Sequence, residues 1–282
     1  MRGLPIPNFD TERVVIECMS GSADTAMQIR ILDGLAVFKH AEARFKSASS
    51  SHTVHLLPVA AFALPGVKAS DLAEELYSRG MVNRRAGRRL YDALMLVPTH
   101  GRCPLCGVGR VMTLDHHLPK TKFPLLCVTP LNLVPACRDC NSAKLQGSPT
   151  TVGEQTINPY FDRLSSGQWL HARICGGVPP VLEFFVEPPG HWEPLMAMRL
   201  RNHVDVFELL DRFSKEMASI IPDLRFRLRN LLCAGDPAEV SSYLTSEADT
   251  RLARDGNSYQ GVAYKALAAD RWFCGGGFEL FM

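Results

Sequence analysis

Cys103 and Cys106 form one Cys-x-x-Cys pair, and Cys137 and Cys140 form a second. Two residues between cysteines let a tight turn aim both sulfurs at one ion, and two such turns can place four thiolates at about 2.3 Å around Zn2+ in a closed tetrahedron. A closed site leaves no position for water, so its role is structural. The alternative, a redox pair, belongs beside a βαβ pattern, which the sequence lacks. Between and after the pairs lie Leu114-Asp115-His116-His117-Leu118-Pro119-Lys120, Asn132-Leu133, Asn141 and Lys144. Phosphodiester hydrolysis needs a base to activate water and positive charge at the phosphate and the leaving oxygen. His116 suits the base, because imidazole is substantially neutral near pH 7. Asp115 beside it supplies a hard carboxylate oxygen. Adjacent strand residues point to opposite faces, so these two can meet one phosphate only at a strand end or twist.

The order Asp-His-x-x-Pro, Asn-Leu, Cys-x-x-Cys-Asn-x-x-Lys, read from Asp115 to Lys144, resembles the HNH endonuclease family, the ββα-metal nucleases. The resemblance implies that Asp115 ligates a catalytic metal while His116 faces the water. Asn141, directly after the last cysteine, is implied as the second protein ligand, and Asn132 as the residue that orients the loop carrying the base. One carboxylate, one amide oxygen and several waters suit Mg2+ or Mn2+, with zinc fixing the geometry around them. Asn141 stands where the eponymous pattern has its final histidine, making this a His-Asn-Asn variant. His117 doubles the first histidine. Asp115 in the preceding position favours His116 as the base, with His117 as the alternative base, a DNA contact or a cover for the site. Taken singly, each residue has an ordinary structural explanation: a strand histidine, a turn asparagine at Asn132, a helix cap at Asn141.

These residues need elements to hold them. Val111–His116 reads as a strand and Leu125–Val128 as its partner, with Asp139–Leu145 as a short helix. Before them, residues 9–98 read mainly as helix. A first helix is capped by Asp10 or Thr11, and a longer one, capped by Ser22 or Asp24, carries Met27, Ile31, Leu35 and Phe38 on one face. Ser47–Ser51 reads as a loop. Further helices run from Ser70 to Gly80 and from Arg88 to Leu96. After the Gly147–Gly153 linker, Trp169–Cys175 and Val181–Val186 read as strands. Helical spacing then covers Leu195–Ser219, Leu224–Leu232, Ala238–Arg254 and Tyr259–Ala269. The expected fold is α+β: a helical region over 1–99, a ββα-metal core with its four-cysteine zinc site over 100–148, and a region of short strands then helices over 149–282.

Composition narrows the classes. The chain has 282 residues, 46% hydrophobic and 21% charged, which is ordinary for a folded protein and argues against disorder. No apolar run reaches membrane-span length, and Met1–Asn8 lacks a signal-peptide pattern, so the expectation is a cytoplasmic protein. Nine cysteines, an odd number without an export signal, argue against a disulfide framework. The formal net charge of +2 is too small for binding by bulk electrostatics, so local charge has to carry any nucleic-acid contact. Arg84, Arg85, Arg88 and Arg89 form the densest basic cluster, and Lys120 and Lys144 lie within the motif. The partner expected is DNA, with RNA left open because the motif reads a phosphate. One such site cuts one strand, so a double-strand break needs a homodimer or successive nicks. The layout is similar to uncharacterised bacterial HNH proteins, some encoded beside ATPases in anti-phage systems, which implies a partner ATPase or other defence protein. The competing class is a zinc-knuckle nucleic-acid-binding or scaffold protein without chemistry.

Overall fold

The computed structural model describes residues 3–144, 147–164, 167–177 and 179–281. The chain divides into two compact units, 1–164 and 165–282. Among the described residues, no helix is long and apolar enough to cross a membrane.

The first unit opens with α1 (Thr11–Met19), whose N-cap Asp10 accepts the Arg13 backbone N–H at 3.0 Å. The long helix expected next is two: α2 (Thr25–Asp33), capped by Asp24, and α3 (Leu35–Ser50), with the break at Gly34. α3 also runs through the serines expected to form a loop, because Phe45, Ala48 and Ser49 continue its buried face. α4 (Ala69–Ala73) passes straight into a π-helical stretch, Glu74–Asn83, and α5 (Arg85–Met95) follows. Glu75 is 4% exposed. Ser22 Oγ donates to it at 2.6 Å, and Arg84 pairs with the same carboxylate. Burial pushes its pKa up, but the Ser22 and Arg84 hydrogen bonds and the Arg84 charge win, leaving it below the usual carboxylate range.

The strand of the motif is β1 (Thr113–His116), but its partner is β2 (Leu133–Ala136), not Leu125–Val128. The pair is antiparallel, with Asp115 opposite Val134 and His116 opposite Leu133. Residues 123–128 are buried without alternation, with Pro124 inside the run and Pro130 just beyond it. They wind into turns closed by Leu126 N–H to Phe123 O at 2.9 Å and Cys127 N–H to Pro124 O at 3.1 Å. Pro135 is tolerated in β2 because Leu114 opposite turns its backbone groups outward. Tyr77 Oη donates to Leu114 O, and Leu114 N–H donates to Tyr91 Oη, both at 3.3 Å. The open edge of β1 is thus closed by two helical tyrosines. α6 (Arg138–Ala143) follows β2 directly, with Cys137 at its N-cap. It ends before Leu145, which lies outside the described residues. One apolar core runs from Val14 in α1 to Leu133 in β2, so the helices before Cys103 and the strand pair share one interior.

The second unit holds an antiparallel hairpin, β3 (Leu170–Cys175) and β4 (Val181–Val186), as the sequence suggests. The helices are α7 (Pro194–Val206), α8 (Leu209–Ala234), α9 (Pro237–Arg254), α10 (Tyr259–Ala269) and α11 (Arg271–Cys274). The break expected near Pro222 falls instead at Phe207–Glu208, where Glu208 adopts a left-handed φ of 50°. Pro222 stays inside α8, whose buried Met217, Ile221 and Leu228 hold both sides of it in one helix.

Two outcomes test this packing. A Cβ on Gly87 would overlap Gly80 O and lie 2.7 Å from Met81 Cα, so Gly87→Ala should cost about 2–3 kcal/mol, read as a lowered denaturation midpoint. Because the folded pKa of Glu75 is depressed, its contribution is present above the unfolded value and lost as pH falls through the folded one. The stability difference between the parent and Glu75→Gln should therefore shrink in acid titration as pH falls below about 5, through the ordinary carboxylate range and beyond it.

Candidate functional site

Cys103, Cys106, Cys137 and Cys140 are all buried, and their four sulfurs lie within 4.8 Å of one another. Cys106 Sγ and Cys137 Sγ are 3.8 Å apart, the edge of a tetrahedron whose corners stand about 2.3 Å from a common centre. Backbone N–H groups of Val108 and Gly109 point at Cys106 Sγ, each at 3.4 Å, and that of Cys140 at Cys137 Sγ at 3.5 Å. Such donors stabilise thiolates. Hydrogen bonding from Cys103 favours the thiolate at Cys106 and Cys137, holding both below the ordinary thiol range. Donor type, number and spacing fit a metal ion, with structural Zn2+ the best match. Gly109 is the residue that sequence reasoning missed here. A Cβ on it would sit 2.6 Å from Cys137 Cβ and 2.8 Å from Cys137 Sγ, so only glycine lets the two knuckles close.

The strand end carries the other groups. Asp115 is 7% exposed, and its Oδ2 accepts from Lys144 Nζ at 2.8 Å. The same ammonium reaches His116 O at 2.6 Å. Burial raises the Asp115 carboxyl above its ordinary range, against the pull of the Lys144 charge and hydrogen bond. The His116 ring turns the other way. Its Nε2 lies 2.8 Å from Cys127 O, and it meets the Tyr77 ring edge to face at 4.5 Å. Burial pulls His116 down to about 3; the Cys127 bond opposes this, while Lys120 and Lys144 add to it. The imidazole is therefore neutral at physiological pH. Because a carbonyl can only accept, Nε2 bears the proton and Nδ1 carries the lone pair.

Asn132 is fully buried and uses both ends of its amide. Oδ1 accepts Leu118 N–H at 2.7 Å, and Nδ2 donates to Leu118 O at 3.0 Å and Leu126 O at 3.1 Å. With His117 N–H on Asn132 O at 2.8 Å, it clamps the chain leaving β1 to the turn that carries Cys127. Asn141 is exposed on α6, one turn before Lys144 and so on the same helix face.

The remaining residues divide. His117 is buried, its ring tilted against Phe45 at 6.2 Å, rather than displayed at the surface. Lys120 Nζ lies over the Tyr77 ring, 4.4 Å from its centre. Arg84 is turned inward: besides Glu75 it donates to Cys18 O at 2.9 Å, so its guanidinium holds helices together. Arg85, Arg88 and Arg89 are exposed on α5, Arg88 pairing with Asp92 at 2.8 Å. Tyr77, which touches both His116 and Lys120, lies in the helical flank and carries no motif signal.

The chain is 28% identical over 227 residues to Protein ea31 of Escherichia phage lambda, an alignment covering 77% of this chain and 76% of that protein. It is 30% identical over 102 residues to Septu protein PtuB of Bacillus thuringiensis, covering 34% of this chain and 38% of that protein. No family model matches the chain, and no solved structure matches it. The longer alignment must take in much sequence outside the cysteine pairs, so the likeness to the phage protein extends into the helical regions.

Thiol labelling followed by mass spectrometry checks the cluster. Of the nine free cysteines, Cys233 is exposed and Cys175 half-buried. Burial pushes Cys18 up to about 12 and Cys127 higher still. In metal-loaded protein Cys233 should react first and Cys175 next. A chelator should then add Cys103, Cys106, Cys137 and Cys140 together, leaving Cys18 and Cys127 silent until denaturation. Knuckle cysteines that react as fast as Cys233 before chelation would rule out a resident ion.

Proposed function

We propose that the chain is a metal-dependent endonuclease of the HNH type that hydrolyses DNA phosphodiester bonds in the cytoplasm, as part of bacterial defence against phage. The observation that supports this most is what the end of β1 carries: a buried carboxylate on Asp115, a neutral imidazole on His116, and, from the helix that starts at Cys137, Lys144 on the carboxylate. In this reading Zn2+ sits among Cys103, Cys106, Cys137 and Cys140. Asp115 and Asn141 hold Mg2+ or Mn2+, which when bound supplies positive charge to the phosphate and the departing 3′ oxygen. His116 accepts the proton of the attacking water at Nδ1. Asn132 keeps the loop after β1 fixed, so that the base does not drift from the water. Lys120 and the exposed Arg85, Arg88 and Arg89 attract the phosphate backbone. The products carry 5′ phosphate and 3′ hydroxyl. The defence context comes from the likeness to a Septu protein; an ATPase or another defence protein is the partner we expect, and a homodimer would allow double-strand cuts.

A second reading, a non-catalytic zinc-knuckle protein that binds nucleic acid, is favoured by one observation. Asp115 Oδ2 is already engaged by the protein itself, through Lys144. Plasmid cleavage separates the two. With Mg2+ or Mn2+ the parent should nick or linearise DNA, whereas His116→Ala and Asp115→Asn should lose at least about 100-fold in rate and Asn141→Ala a comparable factor. An Asn141→Ala protein that cuts as fast as the parent would remove Asn141 from the ligand set. Binding without cutting on DNA and RNA alike, equal in the parent and His116→Ala, would support the second reading.

A further inference from the structure

The proposed seat for the divalent ion already holds a cation. Lys144 Nζ lies 2.8 Å from Asp115 Oδ2 and 2.6 Å from His116 O, and the Lys144 and Asp115 side chains are only 9% and 10% exposed. We propose that Lys144 is a tethered competitor for the catalytic metal: it closes the Asp115 seat in the metal-free chain and is displaced when Mg2+ or Mn2+ enters. This rests on the nuclease reading above, since it presupposes that Asp115 is a metal ligand.

Three observations carry it. A carboxylate buried as deeply as Asp115 cannot stay bare, because an unpaired buried charge is strongly destabilising; in the metal-free chain Lys144 is its ion-pair partner. The ammonium also uses oxygen donors, a carboxylate and a backbone carbonyl, the kind that a hard divalent ion selects. An ion bonded to Asp115 at about 2.1 Å would lie within ion-pair distance of the ammonium, where like charges in a partly desolvated place repel strongly. Finally, only the tip of Lys144 has to move. Its backbone follows α6, whose start is fixed by Cys137 and Cys140, while its four-carbon stem can swing. Lys120, the other nearby lysine, is engaged on the Tyr77 ring. Once released, Lys144 stays on the face of α6 that carries Asn141, placed to meet a phosphate. Metal entry thus arms a phosphate contact that the metal-free chain keeps folded away.

The test uses the full, zinc-loaded chain and Mn2+, with affinity read from the loss of the free-ion signal in electron paramagnetic resonance. Lys144→Met and Lys144→Gln should bind Mn2+ about tenfold or more tightly than the parent. They should also show a lower melting temperature without Mn2+ and a larger rise on adding it, with zinc content as the check on folding. In the parent itself, amine acetylation followed by mass spectrometry should find Lys144 protected without Mn2+ and reactive with it, which needs no variant to fold. Equal or weaker Mn2+ binding by both variants, or unchanged Lys144 acetylation while Mn2+ is bound, would overturn the competition and leave the metal site standing. Asp115→Asn binding Mn2+ as the parent does would instead overturn the ligand assignment, and the nuclease reading with it.

Discussion

Four sulfurs in one buried cluster are the constraint on which the site depends. Sulfurs as close as those of Cys106 and Cys137, 3.8 Å apart, cannot all be thiolates without a cation among them. The surrounding backbone N–H groups supply only partial charge. α6 spans six residues, Arg138–Ala143, of which only Cys140 is buried. A helix that short does not persist on its own, and it has no apolar stripe to dock. Its position is therefore set by the buried cluster that Cys137 and Cys140 form with Cys103 and Cys106. Where Asn141 and Lys144 lie relative to Asp115 follows from that.

A second anchor comes from the helices. β1 is an edge strand whose outward groups at Leu114 end on Tyr77 and Tyr91. Tyr77 stands in the π-helical stretch, and that stretch is tied to α1 and α5 through Glu75, Arg84 and the carbonyl of Cys18. π-helical geometry is rare and needs side-chain support, which this polar cluster provides. The strand pair is thus built into the helical core rather than inserted between independent flanks. The same network explains why Arg84 does not behave like its neighbours Arg85 and Arg89: a basic run at a helix start reads as one patch, but the residue at the N-cap faces back into the fold.

What could be read from the sequence follows from range. The cysteine pairs, the β3–β4 hairpin and the caps at Asp10 and Asp24 are local signals, decided within a few residues, and the structure has them where spacing puts them. The grouping of Asp115, His116 and Asn132 could be read because a fixed order constrained it, although the roles assigned to them rest on chemistry rather than on geometry. The partner of β1 could not be read. Leu125–Val128 and Leu133–Ala136 are both short apolar runs, and the choice between them depends on where Leu114 sends its backbone groups, which involves Tyr77 and Tyr91 far away in sequence. Gly109 carries no signal of its own, since its need arises from Cys137 approaching it in space. The engagement of Lys144 with Asp115 is equally non-local, and a lysine in a basic motif reads as a phosphate contact until its partner is seen.

His116 is the last residue of β1, and this decides how its ring and Asp115 could act on one molecule. Their side chains leave the strand on opposite faces: the carboxylate meets Lys144, and the imidazole meets Tyr77 and Cys127 O. In the middle of a strand the backbone would separate them completely. At the strand end a group can reach round, because beyond His116 the chain turns away under the hold of Asn132 on Leu118. Burial and the charges of Lys120 and Lys144 all act to lower the pKa of His116. A ring held neutral in this way keeps a lone pair on Nδ1, the state in which an imidazole can accept a proton.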